Sequence, residues 1–572
     1  MKKTVSIIAA LLLCFCSLMA QQVGIEKSAE FDEPDYGWNK LLQLKNGNTL
    51  FFHSTKKDGI DLVIYNKQRK QIATRTLESR LWDVGQMKRS KIVGLYEING
   101  EPVIFIVQAD DKSPTLFRMR LNGNTGAIVK EDKLGSLPKS SIWQGYAIAF
   151  GNVDMPDIIV EKDPNSDCYA TIFFDGFSHE TNKRIKVVHY DGTHKVLNTV
   201  FYDSPNGKYK YLRYIGSAVD GDKRVFIATY GFNGKADEDT NPAVITSRVN
   251  VGETKFTHTL INVSNDFNDT KSVMLYNKNT NKLQLMTLTM ARMDAGSQVK
   301  DAMIFSNVNF NVKWKKSLSC IALLSYIDPE TLNILSTQPL TGSKIEAYGK
   351  LNVDTEYEYD GVPQNMVLNK DNTTTILMED IANVKKSHGH SPMIGSHLAN
   401  MTYTTELGPI GISELSDTGA ELKGYAISKL QQAQGTLPIL YMSGRYKGMF
   451  SYPQSMSHKS NNNEFLSYDY INAPNGRYVI FNDLPKNSDK EEEDDSRKMV
   501  TSVSATNTMC YKLNDPKMDK FYLFGEPDGK KASTFCYIES SDYNKDVNTY
   551  ATMIIERDGR SKSARIAWIT FQ

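Results

Sequence analysis

Short runs of alternating apolar and polar residues, broken by turn dipeptides, dominate most of the chain. The runs are rich in Val, Ile, Tyr, Phe and Thr, which is typical of β-strands. Six Asn-Gly and seven Asp-Gly pairs occur among them. These dipeptides favour two-residue hairpin turns, because Asn, Asp and Gly tolerate the positive φ angles that such turns need. The pattern therefore predicts antiparallel hairpins as the main structural unit.

The first two units repeat one order of strands and turns. KLLQL, TLFFHS, IDLVIYN and QIATRTL form the first, and KIVGLYEI, PVIFIVQA, TLFRMRL and AIVKEDKL form the second. Consecutive four-strand meanders are typical of propeller blades. We therefore predict an all-β chain folded as a β-propeller of about seven four-stranded blades, with six or eight also open. Further units are expected at 158–202, 211–263, 272–340, 345–430 and 465–571.

Tandem β-sandwich domains are the alternative architecture, since they also show short strands at regular spacing. Such domains need linkers, and the chain has no Pro/Ser/Thr-rich joint. We therefore expect one propeller-like domain over 21–572, with loops inserted near 383–405, 455–464 and 485–498. The run LKGYAISKLQQAQ, within 412–434, fits either a short helix or a continued strand.

The first twenty residues have the order of charge, apolar stretch and small residues that is typical of a secretory signal peptide. Lys2 and Lys3 precede an apolar run over 5–19, and Ala20 stands before Gln21. The run is too short to span a bilayer as a helix. We expect residues 1–20 to be removed and the protein to be exported to the periplasm, the outer-membrane surface or the medium.

Composition excludes some classes of partner. The chain has 67 basic and 66 acidic residues, so no bulk charge attracts nucleic acid or anionic lipid. No later stretch is apolar enough to predict a transmembrane segment in the mature chain. We expect no nucleic-acid partner.

Four cysteines follow the apolar start, and none forms a CxxC pair. Four in a chain of this length are too few for the disulfide framework of small secreted domains. Buried thiols are the simpler expectation, because each cysteine lies in an apolar run. A disulfide between Cys510 and Cys536, stapling the last strands, is the sharper hypothesis.

Histidines are concentrated at one place, where His388, His390 and His397 lie within ten residues. Imidazoles in a Gly- and Pro-containing loop are candidate zinc or copper ligands. No fourth ligand is evident, so a solvated loop is the competing interpretation. No cofactor is predicted.

Catalytic motifs are missing: there is no Gly-x-Ser-x-Gly elbow, and no serine or cysteine has obvious partners nearby. Carboxylate pairs for glycoside hydrolysis remain open, since the sequence does not give their separation in space. Aromatic side chains offer platforms for sugar stacking. Trp82 and Trp143 lie between strand units and are the candidates for such a platform.

The signal, the length and the four-strand units resemble uncharacterised secreted β-propeller-like proteins of Bacteroidota. The resemblance covers most of the chain after residue 20, rests on pattern alone and transfers no catalytic residue. The leading hypothesis is an exported, non-catalytic propeller that binds a protein or glycan ligand. A carbohydrate-active enzyme with carboxylates in the propeller channel, and a structural factor of the cell envelope, are the alternatives.

Overall fold

Eight separate antiparallel sheets follow one another along the computed structural model of the protein. In most of them, four strands that are consecutive in the chain also lie side by side in that order, which is the meander of a propeller blade. We number the blades 1 to 8 along the chain. The structure describes residues 23–571 except 111, 140–156, 176–181, 234–241, 263–266, 292–312, 319, 388–400, 438, 452–461, 489–496, 515 and 528–531.

Blades 1 to 4 are regular meanders. Blade 1 contains β2 (Trp38–Gln43), β3 (Thr49–Ser54), β4 (Ile60–Tyr65) and β5 (Gln71–Leu77); blade 2 contains β6 (Lys91–Ile98), β7 (Glu101–Asp110), β8 (Ser113–Leu121) and β9 (Ile128–Ser136); blade 3 contains β10 (Asp157–Lys162), β11 (Tyr169–Phe174), β12 (Ile185–Tyr190) and β13 (Val196–Tyr202); blade 4 contains β14 (Tyr211–Asp220), β15 (Arg224–Phe232), β16 (Ala243–Asn250) and β17 (Thr257–Asn262).

Blades 5 to 8 carry the insertions, and the last blade takes its fourth strand, β1 (Val23–Lys27), from the other end of the chain. Blade 5 contains β18 (Phe267–Asn277), β19 (Lys282–Ala291), β21 (Cys320–Ile327) and β22 (Ile334–Pro339); blade 6 contains β23 (Val362–Leu368), β24 (Thr374–Ser387), β25 (Met401–Leu415) and β26 (Glu421–Ile427); blade 7 contains β29 (Tyr468–Ala473), β30 (Gly476–Asp483), β31 (Asn507–Lys512) and β32 (Asp519–Tyr522); blade 8 contains β33 (Ala532–Asn544), β34 (Thr549–Asp558), β35 (Ser561–Phe571) and β1.

Several short elements lie in the connections. Strands β24 and β25 extend beyond blade 6, and there they pair with two short strands from other connections. The short elements are β20 (Lys313–Ser317), β27 (Gln431–Gln434), β28 (Phe450–Ser451), α1 (Ser343–Asn352), α2 (Tyr441–Tyr446), α3 (Pro485–Ser488) and 3-10 turns at Val84–Arg89, Pro205–Gly207, Asn462–Phe465 and Val503–Ala505.

The apolar core is divided among the gaps between neighbouring blades. One cluster joins blades 1 and 2, others join 2 to 3, 3 to 4 and 4 to 5, and a larger one joins 5, 6 and 7. Two more join 7 to 8 and 8 back to 1. Because the series returns to its start, the eight blades form a closed ring. Burial on both faces explains why central strands such as β3 are almost wholly buried.

The ring is closed by pairing between the two ends of the described chain. Strand β1 pairs antiparallel with β35, and the register runs from Val23 opposite Phe571 to Lys27 opposite Ala567. In each blade the first strand lies nearest the axis; β2 lies beside β33, for example, and β14 beside β18. Side chains on these first strands are therefore the ones that can meet at the centre.

The two ends of the ring differ in the length of their connections. At one end, the turns between first and second strands and between third and fourth strands have two to six residues. At the other end, connections reach 20 residues or more, as at 137–156, 340–361 and 428–467. We call these the tight-turn end and the long-loop end.

The all-β propeller predicted from the sequence is confirmed, but the blade number of about seven is corrected to eight. The unit expected at 465–571 contains two blades, and the second of them is completed by β1 from the other end of the chain. The Asn-Gly turn at Asn99 and Gly100 joins β6 to β7, with φ of 54° and 75°. The run LKGYAISKLQQAQ is strand rather than helix.

The three predicted loop insertions coincide in part with undescribed residues. Near 383–405, the described residues are the paired arms of the β24–β25 hairpin. Residues 462–464 belong to a 3-10 turn, and the insertion near 485–498 begins with α3. The predicted signal peptide, 1–20, lies outside the described residues.

Candidate functional site

One connection crosses the centre of the ring. It leaves blade 6 after β26 and enters blade 7 at β29, but on the way β28 pairs with β6 of blade 2. The backbone N–H of Leu95 also donates to the carbonyl of Lys447, 3.0 Å away. Blade 2 lies opposite blade 6 in a ring of eight, so the connection passes through the axis. We call residues 439–451 of this connection the crossing segment.

A fully buried ion pair holds the start of this connection. Lys429 Nζ donates to Glu379 Oε1 at 2.6 Å, and neither side chain has any exposed surface. Tyr441 donates its hydroxyl to Glu379 Oε2 at 2.6 Å, and the Ser467 hydroxyl donates to Oε1. Burial lowers the pKa of Lys429 and raises that of Tyr441. We call these four residues the closed cluster, because each charge in it is paired.

A second group of charges surrounds the crossing segment nearer blades 7, 8 and 1. Arg445 donates through Nη2 to the Asp469 carboxylate and to the carbonyl of Tyr468. Tyr550 donates its hydroxyl to Asp469 Oδ2 at 2.7 Å. Asp469 is thus bound from the crossing segment on one side and from blade 8 on the other.

A wide bulge in β33 supplies more polar groups at the axis. Tyr537 pairs with Met553 and Asp542 pairs with Ala551, so the four residues of β33 between these pairs lie opposite a single residue of β34. Bulges of this kind redirect side chains and backbone groups. The carbonyls of Glu539 and Ser541 accept from Lys40 Nζ at 3.2 and 2.6 Å.

Three side chains here have either exposed surface or polar atoms without a hydrogen-bond partner among the described residues. The Tyr446 ring lies on the crossing segment yet keeps 43% of its surface exposed, so the space beside it admits water. Among the described residues, Arg445 Nη1 is buried with no hydrogen-bond partner, and the half-buried Glu539 carboxylate accepts no hydrogen bond. We call the group of neighbouring residues Lys40, Arg445, Tyr446, Asp469, Glu539 and Asp542 the open chamber.

Burial governs the ionisation of the chamber groups. It lowers the pKa of Lys40 and raises those of Glu539 and Asp542, although the nearby cations oppose the rise in both acids. Glu464 lies close enough to Glu539 for the two acids to interact. Burial, together with the Glu539 charge, raises the pKa of Glu464 from 4.5 to about 8.

The crossing segment is anchored on the far side of the axis by an ion pair. Lys447 Nζ lies 2.6 Å from Glu161 Oε2 on β10. Ser217 also donates to that oxygen at 3.3 Å, and its own hydroxyl bonds that of Tyr214 at 2.7 Å. Burial, followed by the Glu161 charge, raises the pKa of Tyr214.

The residues singled out from the sequence lie elsewhere. His388, His390, His397 and Trp143 fall outside the described residues. Trp82 is 6% exposed and belongs to the core between blades 1 and 2. A stacking role for it stays a prediction, and its burial disfavours that role.

Cys510 and Cys536 lie fully buried on blades 7 and 8, and their sulfurs are not bonded to each other in this structure. Burial raises the pKa of Cys536 to about 12. The disulfide between them stays a prediction.

The chamber residues carried no local motif that sequence reasoning could use. They come from four distant parts of the chain, near residues 40, 445, 469 and 540. The only signal is the polar run Glu539-Ser-Ser-Asp542 inside an otherwise apolar strand. Among the described residues, no group of three or more His, Cys, Asp or Glu side chains is placed to hold a metal ion, and no helix is long and apolar enough to cross a membrane.

The fold defines an eight-bladed β-propeller whose axis is crossed by one of its own connections. No family model and no curated protein matches the chain. Solved structures similar to it include prolyl oligopeptidase B from Galerina marginata, at 8% identity and TM-score 0.39, covering 95% of this chain and 56% of that one.

Two further structures are similar at comparable levels. The polysaccharide lyase Uly1 has 8% identity and TM-score 0.34, over 96% of this chain and all of that one. A Bacteroides caccae protein of unknown function has 12% identity and TM-score 0.24, over 54% of this chain and 84% of that one. Such scores carry no argument about function, and the propeller rests on its own strand order.

Proposed function

We propose that the protein is an exported, non-catalytic propeller that binds a protein or glycan ligand at its axis. The observation that carries this proposal is the open chamber, where Arg445 Nη1 and the Glu539 carboxylate have no hydrogen-bond partner among the described residues beside an exposed Tyr446. Buried polar groups without partners cost free energy unless something binds them. A ligand or bound water can supply the missing bonds.

The location of β1 is compatible with the export part of the proposal. Cleavage after Ala20 would leave only Gln21 and Gln22 before this strand, which closes the ring. A mature chain starting at residue 21 would therefore keep all eight blades. Mass spectrometry of the protein recovered from the medium and from the envelope fraction should give an N-terminus at Gln21. An uncleaved chain confined to the cytoplasm would contradict export.

Binding is tested on purified residues 21–572 with a glycan array and with extracts of envelope proteins. Released sugars are assayed in the same wells. The proposal expects retention of a ligand without release of product, and a loss of retention in Arg445→Met, which removes the unpaired donor. Folding of the variant is checked by its thermal unfolding. A protein that retains neither glycans nor envelope proteins would contradict the recognition role.

A carbohydrate-active enzyme is the second candidate, favoured by the interaction between Glu464 and Glu539. Glycoside hydrolysis uses two carboxyl groups, one protonated to donate and one ionised. A carboxyl with a pKa of about 8 stays protonated at neutral pH, as a general acid must. Release of sugar by the wild-type protein, lost in both Glu464→Gln and Glu539→Gln, would establish this function in place of the first.

A further inference from the structure

The charges around the open chamber are close to balanced. Lys40, Arg445 and Lys447 are the cations, and Asp469, Asp542, Glu161 and Glu539 are the acids. Transferring a charged ligand from water into a buried site costs free energy unless the site already holds an unpaired opposite charge. A balanced chamber therefore favours an uncharged ligand.

The chamber atoms that have no hydrogen-bond partner within the described part of the chain are a donor and an acceptor. Arg445 Nη1 can only donate, and the Glu539 carboxyl group has oxygens that can accept. A hydroxyl group both donates and accepts, so neighbouring hydroxyls on one molecule can satisfy both. Ligand sites commonly combine a few such fixed polar groups with an aromatic wall.

Tyr446 supplies that wall. Its ring is 43% exposed and lies 5.2 Å from the Arg445 guanidinium, and its hydroxyl is within 3.3 Å of Asp469. The ring is held at its polar end while much of its surface stays free. The apolar face of a sugar ring packs well on such a surface, while its hydroxyls reach the polar groups alongside.

We propose that the open chamber is a binding site for a neutral carbohydrate, with Tyr446 as the stacking surface and Arg445 and Glu539 as the hydrogen-bonding pair. This inference rests on the proposed recognition function and names its ligand class. It goes beyond that function because it names the contacting residues and excludes acidic polysaccharides.

The test uses residues 21–572 with neutral gluco-, galacto-, manno- and xylo-oligosaccharides, alongside uronate and sulfated oligosaccharides. Binding is measured by isothermal titration calorimetry at up to about millimolar ligand. We expect at least one neutral probe to bind and Tyr446→Ala to weaken it by about tenfold or more. Glu539→Gln, which keeps the size but changes the acceptor, should weaken it about threefold to tenfold.

Tyr403→Ala is the matched control, since Tyr403 is 45% exposed on β25. It should change the affinity by less than about twofold, and all variants should unfold near the wild-type temperature. Binding of acidic probes alone, or of neutral probes that Tyr446→Ala leaves unchanged, would overturn the site assignment but leave the recognition function standing. If no glycan binds and an envelope protein does, the ligand class is overturned. If nothing binds, both proposals fail.

Discussion

The closed cluster and the open chamber both contain charged residues of the connection between blades 6 and 7. The charges are fully paired in the closed cluster, whereas in the open chamber part of their hydrogen-bonding capacity is unused. In the closed cluster, Glu379 accepts from Lys429, Tyr441 and Ser467, and its side chain has no exposed surface. In the open chamber, Arg445 uses only part of its hydrogen-bonding capacity, beside an exposed ring.

The difference separates two uses of buried charge. A buried charge that is fully paired fixes one arrangement of the chain, because any other arrangement would leave it unpaired. A charged group with an unused hydrogen-bonding atom does not fix the chain through that atom, which is therefore available to a ligand. The closed cluster is therefore expected to govern stability, and the chamber to govern binding.

The largest expected effect is on stability, from Lys429→Met. Removing this lysine leaves Glu379 buried without its counter-charge and leaves the Leu407 carbonyl, 3.2 Å from Nζ, without that donor. Breaking a buried pair from one side costs about 3 to 5 kcal/mol. Chemical denaturation followed by fluorescence measures the loss.

The double variant Lys429→Met with Glu379→Leu is the control for this loss. Removing both charges should cost clearly less than the sum of the two single variants, because no unpaired charge remains. Additive losses would show that the pair is not energetically coupled.

The next largest expected effect is a pH dependence of the free energy of unfolding, caused by Glu464. Its pKa rises from 4.5 to about 8 on folding, so the folded protein holds a proton that the unfolded chain releases between those values. The free energy of unfolding is therefore expected to fall as pH rises from about 4.5 to 8, with a slope of at most about 1.4 kcal/mol for each pH unit. Glu464→Gln should flatten this part of the curve. An identical curve for the variant would rule out Glu464 as its source.

The sequence predicts the blades better than their centre, for a physical reason. A turn such as Asn99-Gly100 is decided by its own two residues, since both must adopt positive φ. The pairing of β1 with β35 is decided by closure of the ring, which no local pattern records. For this reason the sequence pattern alone does not separate the eighth blade from the seventh.

The chamber depends even more on distant parts of the chain. Arg445 meets Asp469 only because the crossing segment passes through the axis, and Glu539 is present there because of the bulge in β33. Alternation alone predicts which strand faces are buried. It does not predict which first-strand residues face the axis, so these residues could not be chosen among the chain's many acids and tyrosines.

A smaller contrast is expected when each cluster loses one tyrosine hydroxyl. Tyr441→Phe removes a 2.6 Å hydrogen bond to the buried Glu379 and should cost about 1 to 3 kcal/mol, since the charged acceptor stays buried. Tyr446→Phe removes a 3.3 Å contact to Asp469 at an exposed ring and should cost less than about 0.5 kcal/mol. Equal losses of unfolding free energy would remove the distinction between the clusters.

A small effect is also expected from Lys447→Met, the chamber-side counterpart of Lys429→Met. The Lys447 side chain is 29% exposed, so its bond to Glu161 is partly solvated. Partly exposed pairs contribute about 0 to 1 kcal/mol and weaken as salt is added. We expect a loss in that range that shrinks between low salt and about 0.5 M NaCl, whereas the loss in Lys429→Met should hardly change with salt. A salt-independent loss as large as that of Lys429→Met would mean that the crossing segment is locked equally at both ends, and the chamber would then be part of the structural core.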